Sequence, residues 1–266
     1  MKRIVLSIFL MMPIAHGQFG DPIRIEFAEG EGFPSAFNLV TGGEEKPALE
    51  YRLPLNYSKD KSYPLVVFLA GGPGGPAGNV NQVRNFVGDN ESVVASMPLF
   101  IESANPLERE NGQSVGFIDY PVMSAAYRIL LTGLFDEVPN IDPEKSALVG
   151  WSNGARAIAI LVSSADQYTL DHFHSFVFID GGMFHMTEFR RKQVQRHRYL
   201  MFYADPDKEN NTHPFQRKTR NDAAKIVQAH AHIYDVDFES RPMKDTTHKM
   251  TEEAKKQIKE WIFQSK

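Results

Sequence analysis

Short, continuously apolar runs recur along the chain, and they limit the folds open to it. Pro64-Leu65-Val66-Val67-Phe68-Leu69 has no polar residue and ends in the glycine cluster Gly71-Gly72-Pro73-Gly74-Gly75. Leu99-Phe100-Ile101, Ala147-Leu148-Val149, Phe176-Val177-Phe178-Ile179 and Leu200-Met201-Phe202-Tyr203 are of the same type. Runs of this length and purity suit strands buried on both faces, which is the environment of a mostly parallel sheet covered by helices. Ile23 to Phe27 and Ala48 to Leu55 alternate instead, as strands with one wet face do.

Helical patterns fall between the runs. Val122, Ala126, Ile129, Leu130, Leu134 and Val138 recur at helical spacing until Asn140-Ile141-Asp142-Pro143 breaks the pattern. Ala223, Ile226, Val227 and Ala231 predict a second helix, followed by a strand around Ile233 to Phe238. Met250, Ala254, Ile258, Trp261 and Ile262 predict a last one. Strands alternating with helices imply an α/β three-layer sandwich with right-handed crossovers.

The 266 residues can bury a full core, and no internal repeat or low-complexity tract divides them. The N-terminus combines Lys2 and Arg3, an apolar run from Ile4 to Ile14, and the small-residue end Ala15-His16-Gly17, the layout of a cleaved export signal. The expected organisation is a signal peptide over 1–17 and a single domain over 18–266, exported to the periplasm or the medium. Removing the leader would take the formal charge from −4 to −6, since Lys2 and Arg3 are its charged residues. Mild acidity argues against nucleic acid as a partner. No run after the leader approaches the roughly 20 apolar residues of a membrane helix. The chain has no cysteine, which excludes disulfides, thiolate metal sites and a cysteine nucleophile.

Chemistry enters at Gly150-Trp151-Ser152-Asn153-Gly154, a G-x-S-x-G pentapeptide between the run ending at Val149 and the small-residue stretch Gly154 to Ala159. A serine at a sharp strand-to-helix turn has its hydroxyl pushed clear of the sheet edge, which makes Ser152 the candidate nucleophile. Such a serine needs a base, an acid to orient the base, and donors for the oxyanion. Of the nine histidines, His248 lies after the last expected strand and just before the final helix, in reach of the top of the sheet. The acid is expected after the strand Leu200–Tyr203, where Ala204-Asp205-Pro206-Asp207 offers two carboxylates. Asp207 is favoured because Asp205 abuts the strand and precedes a proline, a common turn arrangement. The amides of Gly72 and Asn153 are the expected oxyanion donors, Pro73 having no N–H to give. His172/His174 and His230/His232 have a metal-like gap but no third ligand, so no metal is expected. The glycine-rich loop lacks both the P-loop lysine and the dinucleotide spacing, so no nucleotide or other cofactor is expected.

With these residues in view, the chain resembles the α/β-hydrolase superfamily over roughly residues 46 to 264. Ile141-Asp142-Pro143-Glu144-Lys145 leading into Leu148 to Ala155, and Tyr51-Arg52-Leu53-Pro54 followed by Tyr63 to Val67, are similar to exported carboxylesterases and polyester-depolymerase-like esterases. The resemblance implies the triad Ser152, Asp207 and His248, an ester substrate, small or polymeric, and a minimal cap, because only residues 181 to 198 separate two successive strands. Ala70 stands where such esterases often have a histidine. The Gly71–Gly75 stretch also looks like the loop of prolyl aminopeptidases, which leaves a serine aminopeptidase and a catalytically silent binding protein as the alternatives. Met183 to Phe189 is expected either to line the acyl or alcohol site or to pack onto the core as an amphipathic helix.

Overall fold

The computed structural model describes residues 22–26, 37–40, 46–72, 79–88, 91–102, 114–186, 188–205, 214–244, 246 and 248–264. The expected signal peptide and Asp207 lie outside these residues. An eight-stranded sheet runs β1 (Ile23–Glu26), β3 (Ala48–Arg52), β5 (Val93–Met97), β4 (Leu65–Leu69), β7 (Ala147–Trp151), β8 (Ser175–Ile179), β9 (Arg198–Ala204), β10 (Asp237–Met243). From β5 to β10 every neighbour is parallel, while β1 and β3 are antiparallel at one edge. The parallel pairing follows from the connections, since β5, β7, β8, β9 and β10 are each joined to the strand before by a helical crossover.

Two helices, α1 (Val80–Val87) and α7 (Glu252–Phe263), cover one face. On the other lie α2 (Tyr120–Glu137), α3 (Asn153–Ser163), α4 (Gln167–His172) and α6 (Pro214–Ile233). The apolar runs divide between these faces at period two. Leu65, Val67 and Leu69 face the α2–α3 side and Val66 and Phe68 the α1–α7 side; Phe176 and Phe178 are likewise opposed to Val177 and Ile179. This two-sided burial is why the runs contain no polar residue. A fully buried side chain of this kind contributes about 1.5–3 kcal/mol relative to exposure.

Three expectations are corrected. Leu99–Ile101 does not enter the main sheet: β6 (Phe100–Glu102) pairs with β2 (Phe37–Leu39) in a small separate sheet. The central position falls to Val93–Met97, whose Ala95 and Ser96 break the apolar signature. Ser96 is nevertheless buried, because its hydroxyl donates to the Phe68 carbonyl at 3.1 Å. The last strand is shifted towards the C-terminus. Ile233 ends α6, and the strand spans Asp237 to Met243 as a half-buried edge strand that tolerates Pro242. Finally, the described residues 183–186 and 188–189 are not helical. Gly182 to Met186 forms a turn, from which Met183, Met186 and Phe189 are buried while Phe184 is half-exposed.

Among the described residues between β8 and β9 there is one single-turn helix, α5 (Lys192–Gln195), so the cap they form over this part of the sheet is minimal. The next residue but one, His197, is 3 % exposed and lies edge-on to Phe176. Burial, then the nearby Arg196 and His174, holds its imidazole down, to about 4 from an ordinary 6.5; burial does the same to His185, also to about 4. Between these values the unfolded chain binds protons that the folded chain refuses, so stability falls as pH drops from about 6.5 to about 4. Thermal unfolding across this range is expected to show a falling Tm, with a shallower slope in His197→Phe; an unchanged slope would remove His197 from the account.

Candidate active site

Strand β7 ends in a kink. Ser152 has φ 52° and ψ −109°, a conformation that costs a non-glycine residue about 1–3 kcal/mol. It occupies the N-cap of α3, where a serine in extended conformation would give its oxygen to the first amides of the helix. Here no such side-chain cap bond forms, so the hydroxyl is not consumed by the helix it precedes. The elbow is held by backbone: Ser152 N donates to the Ile179 carbonyl at 2.8 Å, and Arg156 N to the Ser152 carbonyl at 3.1 Å.

Close approach makes the small residues here obligatory. A Cβ on Gly154 would lie 2.0 Å from the Leu69 carbonyl oxygen, and one on Gly181 would lie 2.1 Å from the Ser152 carbonyl oxygen. The first contact lets α3 press onto the end of β4; the second lets the chain leaving β8 press onto the elbow. The loop after β4 reaches the serine as well, since a Cβ on Gly71 would lie 2.9 Å from that of Ser152. Gly72 follows with φ 64°, in the left-handed region. The two expected oxyanion residues, Gly72 and Asn153, are thus brought together beside Ser152, joined by a bond from Asn153 Nδ2 to the Gly72 carbonyl at 3.2 Å.

In the parallel register Trp151 faces Ile179, so the residues that follow, Ser152 and Asp180, stand next to each other at the ends of adjacent strands. Both turn through positive φ, 52° and 45°. Asp180 is 1 % exposed; its amide donates to the Phe202 carbonyl at 2.8 Å, and its Oδ1 accepts from Ala204 N at 3.4 Å. Its other oxygen, Oδ2, is hydrogen-bonded to His248 Nδ1. The carboxylate is fully buried and the imidazole 43 % exposed, so one ring nitrogen is anchored in the protein and the ring is open to solvent. The His248 ring stands 5.4 Å from that of Trp151, the residue before the serine.

The loop after β10 must cross β9 to bring His248 to β8, a span of two strand spacings, about 10 Å. Midway it is tethered by Asp205 N, which donates to the Thr246 carbonyl at 3.0 Å. Lys249 N, next to His248, donates to Thr246 Oγ1 at 3.1 Å, and Thr251 then caps α7 by accepting from Ala254 N at 3.1 Å. Sequence reasoning missed Asp180. The carboxylate was sought after β9, where Asp205 supplies a backbone tether and Asp207 lies outside the described residues. The available signal was Asp180-Gly181-Gly182 at the end of the apolar run Phe176–Ile179. Like the serine elbow, it is an apolar strand that ends in a polar residue with glycine close behind.

The Met183–Met186 turn leads from the elbow along α3. Gly182 lies against Ala155 and Ala159, and Ser163 Oγ donates to the His185 carbonyl at 2.6 Å, so the segment descends the flank of α3. There Met183, Phe184 and Met186 form, with Asp222, Val227 and His230 of α6, a cleft of about 540 Å³. His230 and His232 lie on that helix, not on a strand. Among the described residues no group of three or more His, Cys, Asp or Glu side chains is arranged to hold a metal ion, and no helix is long and apolar enough to cross a membrane.

No protein-family model and no characterised protein matches the sequence. Solved structures match the fold. A thermostable esterase is similar at 19 % identity and a TM-score of 0.56, over 91 % of this chain and 62 % of its own length. This chain therefore spans less than two thirds of that protein. A thermostable esterase from Pseudomonas putida is similar at 13 % identity and a TM-score of 0.56, over 91 % of this chain and 82 % of that one. A ferulic acid esterase is similar at 15 % identity and a TM-score of 0.58, over 91 % of this chain and 97 % of that one. The fold is that of the α/β-hydrolases. The neighbours named here are esterases of that fold, and at these identities the likeness extends to architecture alone.

The elbow's packing predicts unequal costs for two glycines. Gly154→Ala drives a methyl into backbone that cannot rotate away and is expected to cost about 3 kcal/mol or more. Gly72→Ala has no described atom within 4 Å of the new methyl and meets only its φ of 64°, for about 1–2 kcal/mol. Urea unfolding of the two variants beside the wild type measures both; equal losses would contradict the packing of α3 on Leu69.

Proposed function

We propose that the chain is an exported serine esterase in which Ser152 is the nucleophile, His248 the base and Asp180, in place of the expected Asp207, the orienting acid. The observation that carries this reading is the bond from His248 Nδ1 to the buried carboxylate of Asp180, beside the kinked serine. An imidazole has a single Nδ1. With that atom given to Asp180, the ring is fixed in the tautomer whose Nε2 can accept the serine proton, and no second carboxylate is needed at Nδ1.

In the reaction Ser152 Oγ attacks the ester carbonyl as its proton passes to His248 Nε2. The amides of Gly72 and Asn153 stabilise the oxyanion, and the C–O bond breaks as the same proton passes to the leaving alcohol. Water then attacks the acyl-enzyme, giving its proton to His248, which returns it to Ser152 as the acid departs. The Asp180 carboxylate at Nδ1 orients the imidazole and favours the transient imidazolium. The exposed imidazole and the minimal cap favour substrates whose ester projects from a larger body. The leader-like residues Lys2 to Gly17 support export.

The test is hydrolysis of p-nitrophenyl esters from acetate to decanoate, of an insoluble aliphatic polyester and of aminoacyl amides. Ester turnover is expected in the wild type and its loss in Ser152→Ala. Asp180→Asn is expected to lower kcat by about a thousandfold to ten-thousandfold, as misplacing the histidine tautomer does, while Asp205→Ala and Asp207→Ala keep near wild-type turnover. Loss of activity in Asp207→Ala with a retained Asp180→Asn would restore Asp207 as the acid. Turnover of amides alone would make the protein a peptidase, and none at all would leave a silent scaffold.

A further inference from the structure

Asn153 is the first residue of α3 and is 7 % exposed. Asparagine at a helix start ordinarily serves the helix's own amides. Here the side chain joins two other segments. Its Oδ1 accepts from Val115 N at 2.9 Å, and its Nδ2 donates to the Gly72 carbonyl at 3.2 Å. Both segments approach the elbow from outside α3, one after β4 and one before α2.

The two segments differ in how else they are held. The one before α2 is anchored by Asp119, fully buried, whose carboxylate accepts from Gly116 N at 2.8 Å and from Glu102 N at 2.7 Å, fastening it to β6. Ala70 and the two glycines after it have no side-chain polar atom with which to fasten the other. Gly72 adopts a left-handed conformation, and a residue without a Cβ holds no conformation on its own account.

We propose that the side chain of Asn153, as distinct from its backbone amide, is a positioning residue that ties the Gly71–Gly72 turn to the Asp119-anchored segment and so sets the oxyanion donor of Gly72 against Ser152. This rests on the esterase reading for its catalytic consequence, but the tie itself does not. Oxyanion stabilisation depends on donors held in place before charge develops. The same residue therefore contributes twice: its amide to the oxyanion and its side chain to the position of the other donor.

Asn153→Asp removes the donor to Gly72 and keeps an acceptor for Val115; Asn153→Ala removes both. Both keep the residue-153 amide. Each is expected to lower kcat by about tenfold to hundredfold with KM near the wild-type value, less than the roughly hundredfold to thousandfold lost with an oxyanion donor itself. Binding of a trifluoromethyl ketone, whose serine adduct carries the oxyanion, should weaken in proportion to kcat/KM. A side chain that served only stability would lower Tm and leave the turnover of folded enzyme unchanged, and that result overturns the proposal.

Amide hydrogen exchange separates this from failure of the esterase reading. In Asn153→Ala the amides of Val115, Gly71 and Gly72 should exchange faster. In Asn153→Asp, Val115 should stay protected while Gly71 and Gly72 do not. If the wild type hydrolyses no ester and reacts with no fluorophosphonate, the esterase reading falls and exchange alone decides: faster exchange upholds the tie, and unchanged exchange overturns it.

Discussion

Parallel pairing of β7 with β8 sets the position of everything around the serine. Trp151 opposite Ile179 places the two residues that follow at the same height, about 4.8 Å apart across the sheet. Both leave their strands through positive φ, and a bond from Ser152 N to the Ile179 carbonyl joins the two turns. Ser152 and Asp180 are therefore not assembled by long loops; they are neighbours in one hydrogen-bonded ladder. A one-residue slip would turn both kinks into the wrong face of the sheet.

That ladder is rigid because both of its faces are covered. Apolar residues of β4, β7, β8 and β9 alternate between the α2–α3 layer and the α1–α7 layer. Gly154 and Gly181 convert this rigidity into contact, since each lets backbone meet backbone at a distance that no side chain could enter. The strain at Ser152 and Asp180 is sustained by the surrounding bonds and packing.

Much of this could be read from sequence where a buried strand produced an unbroken apolar run. Val66, Val149, Phe178 and Met201 announced their strands, and Gly150 to Gly154 announced the elbow. The misses have physical reasons. Val93–Met97 was hidden because Ser96 satisfies its hydroxyl on a neighbouring carbonyl and so passes for a surface residue. Asp237–Met243 was hidden because an edge strand is half wet and carries Glu239, Ser240 and Pro242. Asp180 was overlooked because its significance depends on which strand lies beside β7, and the apolar pattern says that a strand is buried without naming its neighbours.

The route by which His248 arrives has a further consequence. β7 and β8 are interior strands, but the histidine loop springs from β10, at the margin of the sheet and with a neighbour on one side only. Sheet margins open at lower free energy than interiors. Partial opening that peels β10 from β9 would carry off the imidazole and break the tether of Asp205 N to Thr246 while Ser152 and Asp180 kept their places. If Ser152 and His248 act as proposed, that opening would be an inactive state close to the native one, its serine intact and its base withdrawn, at a lower cost than melting the core.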